Sequence, residues 1–348
     1  MPGFDIIGDI HGQADALDRL LDLLGYRLSD GVRRHPDGRR AVFLGDFIDR
    51  GPGIRRVLQT VSAMREAGTA FAVMGNHEMN AIHYQTWDAA SGKWLRSHTD
   101  AHLKQFCETI RQLGGDLDFW IGRMKSLPVW LKLRDDEGVT LRFVHAAWHE
   151  KAMRRLFDEP IEGRLARFSG PFEAPVLTEA GILDFGRRRD PVTKETPFGF
   201  KMKERILTGP EIPLPEKQAY ADNEGTIRRS IRIKWWQKPE DDASLADMVM
   251  AGKASREALI KSGGSIAFNE LSLKKPFEPY PVEGLTFFGH YWLDPSEIGP
   301  QTDRLACLDF SVARGGCLAA YRHESGQTAI SADQFVAVPA RVDRTGSD

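Results

Sequence analysis

The sequence predicts an α/β fold built on a largely parallel sheet. Two observations carry that reading. Short apolar runs of strand length alternate with stretches whose apolar residues recur at helical spacing, and glycines punctuate the joins. Each of the first three runs also leads into a glycine followed by acidic, imidazole or amide side chains. Parallel strands deliver ligand-binding groups in just that way, at their carboxyl ends.

Phe4 to Ile7 is the first apolar run, closed by Gly8. Leu17, Leu20, Leu21 and Leu24 then recur at helical spacing, with Gly25 as the stop. Ala41 to Leu44 repeats the strand pattern, Ile54 to Ala67 reads as a second helix ended by Gly68, and Ala70 to Met74 makes a third strand. That is a βαβαβ rhythm. Leu103, Phe106, Ile110 and Leu113 predict a helix over His98–Leu113, and two strands follow near 129–133 and 141–144, joined by a turn over 134–138. From about 150 to 280 the rhythm lapses into prolines and charge clusters, with one helical stretch around 244–261. Strand signals return at 285–288, 304–308 and 318–321. The expected organisation is therefore residues 1–148 plus 282–338 as one domain, 149–281 as an insertion or cap, and 339–348 as a frayed tail.

With 348 residues, a core of ordinary size is within reach. A net charge of −2, from 47 basic and 49 acidic residues, gives no global case for nucleic acid or an anionic membrane as partner. No apolar run approaches the ~18–20 residues of a membrane helix. No leader is expected either, because chemically loaded residues begin at Gly8. Cys107, Cys307 and Cys317 form no C-x-x-C pair and read as reduced thiols of a cytoplasmic protein, the last two as buried structural residues.

Three motifs follow the first three strands: Gly8-Asp9-Ile-His11-Gly12, Gly45-Asp46-Phe-Ile-Asp49-Arg50-Gly51 and Gly75-Asn76-His77-Glu78. Asp9 and His11 are two apart, so in extended chain their side chains leave on one face. A carboxylate and an imidazole so placed suit a hard-to-borderline dication, and Asp46 on the next strand could bridge two. A lone D-x-H means little. The pattern G-D-x-x-D-R-G has five fixed positions, and a chance match in a chain of this length is on the order of one in a few thousand.

These motifs resemble the calcineurin-like metallophosphoesterases, especially the branch holding Ser/Thr phosphoprotein phosphatases and bacterial symmetrical diadenosine tetraphosphatases. Phe143-Val-His145-Ala-Ala is similar to that family's H-G-G or H-A-G motif, and Phe288-Gly-His290 to its final G-H. The segment Leu308 to Arg322 resembles the strand pair that closes the bacterial members. The resemblance covers about residues 4–148 and 284–322. It implies an α/β sandwich of two mixed sheets flanked by helices, with two metal ions at one edge. It implies that Asp9, His11 and Asp46 hold the first metal, and that Asp46, Asn76, His145 and His290 hold the second. Manganese is the expected ion, with iron or zinc as alternatives. It further implies hydrolysis by a metal-bound hydroxide, with Arg50 on phosphate oxygens and His77, partnered by Asp49, as general acid. Met74, Ala146-Ala147 and Phe310-Ser311 depart from the protein-phosphatase pattern but spare the ligands.

Other signals weigh less. His149 sits four after His145, yet a metal pair there is the weaker reading; His83 is misplaced for H-E-x-x-H, and Asp184-Phe185-Gly186 lacks a kinase's other motifs. The insertion holds Arg187-Arg-Arg189 and the cluster Arg228, Arg229, Arg232, Trp235 and Trp236. A charge run is usually a solvated face. The sharper expectation is that one of Arg228, Arg229 or Arg232 faces the metals as a second phosphate ligand, and that Trp235 or Trp236 lines the cleft. The expected substrate is a phosphorylated small molecule, leaning to a dinucleoside polyphosphate. A phosphoserine or phosphothreonine protein is the alternative; nucleic-acid ends or a silent binding module are further ones.

Overall fold

The apolar runs form two packed sheets in a computed structural model that describes residues 3–89, 91–150, 152–153, 177–181, 203–214, 219–221, 227–237, 249 and 283–341. The strands of those two sheets are β1 (Phe4–Ile7), β2 (Arg40–Phe43), β3 (Ala70–Ala72), β4 (Trp130–Arg134), β5 (Thr140–Val144), β6 (Leu177–Gly181), β7 (Leu285–Phe288), β8 (Leu305–Cys307), β9 (Asp309–Phe310), β10 (Cys317–His323) and β11 (Phe335–Pro339). One sheet has the order β9-β10-β1-β2-β3, with β11 also on β10. The other has the order β6-β4-β5-β7-β8. β1, β2 and β3 are parallel, as are β5, β7 and β8.

Side chains alternate between two cores along these strands. Ile6, Val42 and Phe71 meet Leu131, Phe143 and Phe287 between the sheets. Ile7, Phe43 and Ala72 turn the other way, onto α1 (Ala14–Leu23) and α2 (Ile54–Glu66). Helix α2 buries Ile54, Val57, Leu58, Val61 and Met64, one stripe at helical period. Both faces of the parallel strands are thus covered, which is why β1 is buried at all four positions.

The registers level the strand ends. Ile7 pairs with Phe43 and Phe43 with Ala72, so the three motif-bearing loops leave one edge together. In the second sheet Phe143 pairs with Phe287, which carries His145 and His290 to their strands' carboxyl ends as well.

Several expectations shift. Asn76–Tyr84 is a helix, α3, with all nine residues buried, so it shows no amphipathic stripe to read. The helix expected over His98–Leu113 is α4 (Asp100–Leu113), begun by the Thr99 hydroxyl accepting the His102 N–H at 3.3 Å. Leu117–Lys125 adds α5, which no reading anticipated. Of the expected tail, 342–348 lie outside the described residues, and the Ala340 N–H donates to the Gly316 carbonyl at 2.8 Å. Part of the region read as an insertion belongs to the core. β6 pairs antiparallel with β4, and the Ile206 carbonyl accepts both Ala146 and Ala147 N–H at 3.1 Å. The helix expected around 244–261 lies outside the described residues except Val249, which forms a β-bridge with Ile233. Arg187–Arg189 and Asp184–Gly186 also lie outside them. Among the described residues no helix is long and apolar enough to cross a membrane.

Candidate metal centre

The site is built by loops, and their backbones are strained. His11, Asp46, Asp49, Arg50, His290 and Trp292 hold φ of +46°, +52°, +66°, +65°, +77° and +53°. Non-glycine residues rarely adopt that region unless the surroundings enforce it. The same-face argument for Asp9 and His11 therefore fails in detail: β1 ends at Ile7, and a left-handed turn at His11 aims its ring. Two glycines clear the space. A Cβ on Gly75 would stand 2.1 Å from Asp46 Oδ1, and one on Gly289 2.0 Å from Asp9 Oδ1.

Asp46 is the hub. Its Oδ2 lies 3.4 Å from His145 Nε2, 3.5 Å from His11 Nε2 and 3.8 Å from His77 Nε2. Its Oδ1 accepts the His77 backbone N–H at 3.0 Å. Donor atoms of His11, Asp46 and His77 lie within 4.8 Å of one another, as do those of Asp46, His145 and His290. Asn76 Oδ1 is 3.0 Å from His145 Nε2. Asp9 turns its carboxylate to the His290 N–H, at 3.1 and 3.3 Å. Second nitrogens fix the rings: His11 Nδ1 is 3.0 Å from the Ile48 carbonyl and His145 Nδ1 2.8 Å from that of Leu44.

Does a metal pair fit these residues? Buried and without any hydrogen-bond partner, His11 Nε2 and His290 Nε2 are orphaned acceptors or donors. Burial and the neighbouring His77 push the His11 pKa down to about 3 against the pull of Asp46. Burial, Arg232 and His145 lower that of His290. Both rings are thus neutral, the form that ligates. Burial, Asp309 and Asp46 raise the Asp9 pKa, and burial with Asp46 pushes Glu78 up to about 7. Crowded buried carboxylates beside neutral imidazoles are the donor set a cation would relieve. They fit. His77 also comes within reach of His11 and Asp46, but its Nδ1 lies 2.5 Å from Asp49 Oδ2, which suits an acid better than a ligand.

Asp49 is itself held, accepting the Thr109 hydroxyl at 2.5 Å. Burial works to lower the His77 pKa, but Asp46 and Asp49 outweigh it and the pKa is raised. Glu78 braces the hub: it accepts the N–H groups of Asp46 and Gly75 at 2.9 Å each and of Phe47 at 2.8 Å. Buried Asp309 does the same for a second loop, accepting Trp292 N–H at 2.8 Å and Ser311 N–H at 3.0 Å.

The other expected site residues divide. Arg50 is exposed, its guanidinium carbon 4.7 Å from the Trp292 ring centroid, and Arg314 caps that ring at 4.1 Å. Trp292 also stacks on His11, centroids 5.7 Å apart. Arg232 is half-buried, 3.4 Å from Glu211 Oε1, and its charge reaches His290. Arg228 and Arg229 are exposed. Trp235 offers no cleft wall: it is fully buried, donating Nε1–H to the Ala146 carbonyl at 3.0 Å, because its indole fills the core against Phe288. Trp236 is half-buried against Phe288 and Tyr291. His149 accepts the Ala152 N–H at 2.9 Å, starting a helical turn. Sequence reading missed Thr109, Gln105, Arg96, Trp292 and Arg314. Only Trp292 carried a signal, two residues past the final G-H.

Residues 3–170 match the family described as calcineurin-like phosphoesterase. Among curated proteins, 108 residues are 51% identical to a bis(5'-nucleosyl)-tetraphosphatase PrpE (asymmetrical) of Halalkalibacterium halodurans, covering 31% of this chain and 44% of that one. A like-named protein of a Geobacillus species is 44% identical over 73 residues, 21% of this chain and 30% of that one. The chain therefore spans less than half the length of these relatives. A solved structure described as a putative diadenosine tetraphosphatase covers 97% of this chain and 93% of its own at 16% identity, with a TM-score of 0.42, a loose likeness. Motifs, level strand ends and family match agree: residues 3–170 carry a calcineurin-like phosphoesterase domain.

Proposed function

We propose that this chain is a dinuclear-metal phosphohydrolase acting on nucleotide-type phosphoanhydrides, dinucleoside polyphosphates foremost. One observation supports it above others: three imidazole Nε2 atoms approach a single buried carboxylate, Asp46, while two such atoms, on His11 and His290, have no hydrogen-bond partner. In this reading Asp9, His11 and Asp46 hold one ion, and Asp46, Asn76, His145 and His290 hold the other. Imidazole, carboxylate and amide donors accept manganese, iron or zinc alike. Such a pair would supply positive charge to phosphate oxygens and acidify water.

The chain's own groups do the rest. Asp49 fixes His77 through Nδ1, which leaves Nε2 to donate its proton to the leaving oxygen. The raised His77 pKa keeps that proton in place. Arg50 offers a planar fork to the phosphate, steadied on Trp292. In this reading residues 1–148 with 282–338 form the catalytic unit and 149–281 is an insertion, of which the described strand β6 extends the second sheet beside β4. Cys107, Cys307 and Cys317 are free thiols, which fits a reducing cytoplasm.

The names of the relatives favour nucleotide substrates over phosphoproteins, and asymmetrical cleavage over the symmetrical kind. The test is a side-by-side screen of protein reconstituted with manganese, iron or zinc. Diadenosine tetraphosphate, nucleotides and phosphopeptides are offered, and products are resolved by chromatography. AMP plus ATP indicates asymmetrical cleavage, two ADP symmetrical. Turnover of phosphopeptides alone, or no metal-stimulated turnover at all, refutes the proposal.

A further inference from the structure

The 80–105 region holds a charged group that the roles above leave unused. Arg96 is half-buried, and both of its hydrogen-bonded partners are neutral amides: Asn80 Oδ1 at 2.6 Å and Gln105 Oε1 at 2.7 Å. Among the described residues it forms no ion pair with any carboxylate. Burial lowers its pKa, and only the more distant charge of Asp49 counters that. Two amides orient a guanidinium without neutralising it, which leaves its charge for an anion. Its place is telling. Gln105 Nε2, on the amide that holds Arg96, lies 3.5 Å from His77 Nδ1, so Arg96 stands one side chain away from the His77–Asp49 pair.

An aromatic corner adjoins it. Trp87–Asp88 and Lys93–Trp94 pair as a short hairpin, and Arg96 follows two residues on. Trp87 and Trp94 are 52% and 39% exposed, and their rings meet edge to face at 5.4 Å and 76°. Behind Trp94, His98 stacks at 4.6 Å, and Tyr84 stacks on His98 at 3.9 Å. The stack ends on α3, the helix that carries Asn76 and His77. Exposed indoles on a surface hairpin are unfavourable without a partner, and a stacked backing reduces the ordering cost of binding one.

Resting on the phosphohydrolase reading, we propose that Arg96 binds a phosphate of the leaving nucleotide and that the Trp87–Trp94 corner receives its nucleobase. A planar base suits an indole face, a phosphate suits the unneutralised guanidinium, and a nucleotide carries both a few bonds apart. The chain would thereby prefer nucleotide leaving groups to simple alcohols or phosphoserine.

Calorimetric binding of AMP and of ribose 5-phosphate to the metal-loaded protein tests this without turnover. Wild type should bind AMP more tightly than ribose 5-phosphate. Trp94→Ala, and independently the exposed Trp87→Ala, should cut that preference about tenfold, in the lower half of the range for one stacked base. Arg96→Gln should weaken both ligands together, with Arg96→Lys recovering part of the loss. Thermal midpoints confirm that each variant is folded. An unchanged AMP preference in both Trp variants, or undiminished binding of both ligands in Arg96→Gln, overturns the inference. A protein that hydrolyses nothing yet shows the base preference refutes the catalytic reading alone. Hydrolysis without the preference refutes this one alone.

Discussion

Glu78 offers the sharpest test of how the centre is held together. Its carboxylate accepts three close buried backbone donors, Asp46 N–H and Gly75 N–H on Oε2 and Phe47 N–H on Oε1, with the Ile48 N–H a longer fourth contact on Oε1 at 3.4 Å. Truncation by Glu78→Ala orphans all three. Each buried, unsatisfied N–H costs ~1–3 kcal/mol, so the sum is ~3–9 kcal/mol. Against a typical total stability of ~5–15 kcal/mol, that is enough to unfold much of the population. Glu78→Gln is the finer probe. With its carbonyl oxygen in the Oε2 position it keeps the Asp46 and Gly75 bonds, but its NH2 then faces the Phe47 donor. The Phe47 donor is orphaned and the long Ile48 contact goes with it, so the expected loss is at least ~1–3 kcal/mol. Because the affected loop carries the hub carboxylate, bound metal should fall in the Gln variant even where it is fully folded. Urea unfolding followed by tryptophan fluorescence gives the first quantity and elemental analysis the second. A Glu78→Ala protein within ~1 kcal/mol of wild type, or a Gln variant less stable than the Ala variant, would refute the bracing argument.

Asp46→Asn should abolish metal-stimulated hydrolysis and reduce metal content, because it removes charge from the one group both ligand sets share; retained metal at wild-type stoichiometry counts against the hub. His77→Ala should lower kcat by ~10²–10⁴-fold with metal content intact, a split that elemental analysis and steady-state kinetics separate. Gly289→Ala should fold poorly or lose metal, since its Cβ would stand 2.0 Å from Asp9 Oδ1; wild-type metal content in that variant would show that the loop yields. Far from the centre, His323 Nε2 and Asp135 Oδ2 pair at 2.9 Å in the core. Burial lowers the His323 pKa despite Asp135. Burial would raise that of Asp135, yet the N–H groups of Gly326 and Val139 and the ring of His323 bring it down. Both groups thus bind protons less readily when folded. Their stability contribution is complete above the unfolded histidine value of 6.5, fades as pH falls through the lowered His323 pKa, and falls again below 3.8 as Asp135 protonates. His323→Gln should flatten the first of these steps in pH-dependent urea midpoints, and an unchanged slope would exclude His323 as its source.

Much of the fold was legible because strand and helix periods are local properties. The runs at Phe4, Ala41 and Ala70 are buried on both faces and so read as segments apolar throughout but for Asp5, each ended by a glycine. Helix α2 declared itself by one apolar stripe. Helix α3 did not, since polar Asn76, His77, Glu78 and Asn80 are buried along with its apolar residues and no stripe survives. Trp235 was hidden for a related reason: composition cannot distinguish an indole on a surface from one filling a core, and Trp235 is the latter.

The sequence by itself determined which donors exist and that they sit at strand ends, since spacing, glycine and residue type are written in the chain. Only the tertiary structure decided how they meet. Left-handed turns at His11, Asp46 and His290 aim the side chains, carboxylates from Glu78 and Asp309 secure the loops, and Arg96 comes beside His77 through Gln105. Those contacts join residues far apart in the chain, and their energies depend on burial and on which backbone donors lack other partners. Neither property belongs to any short stretch of sequence.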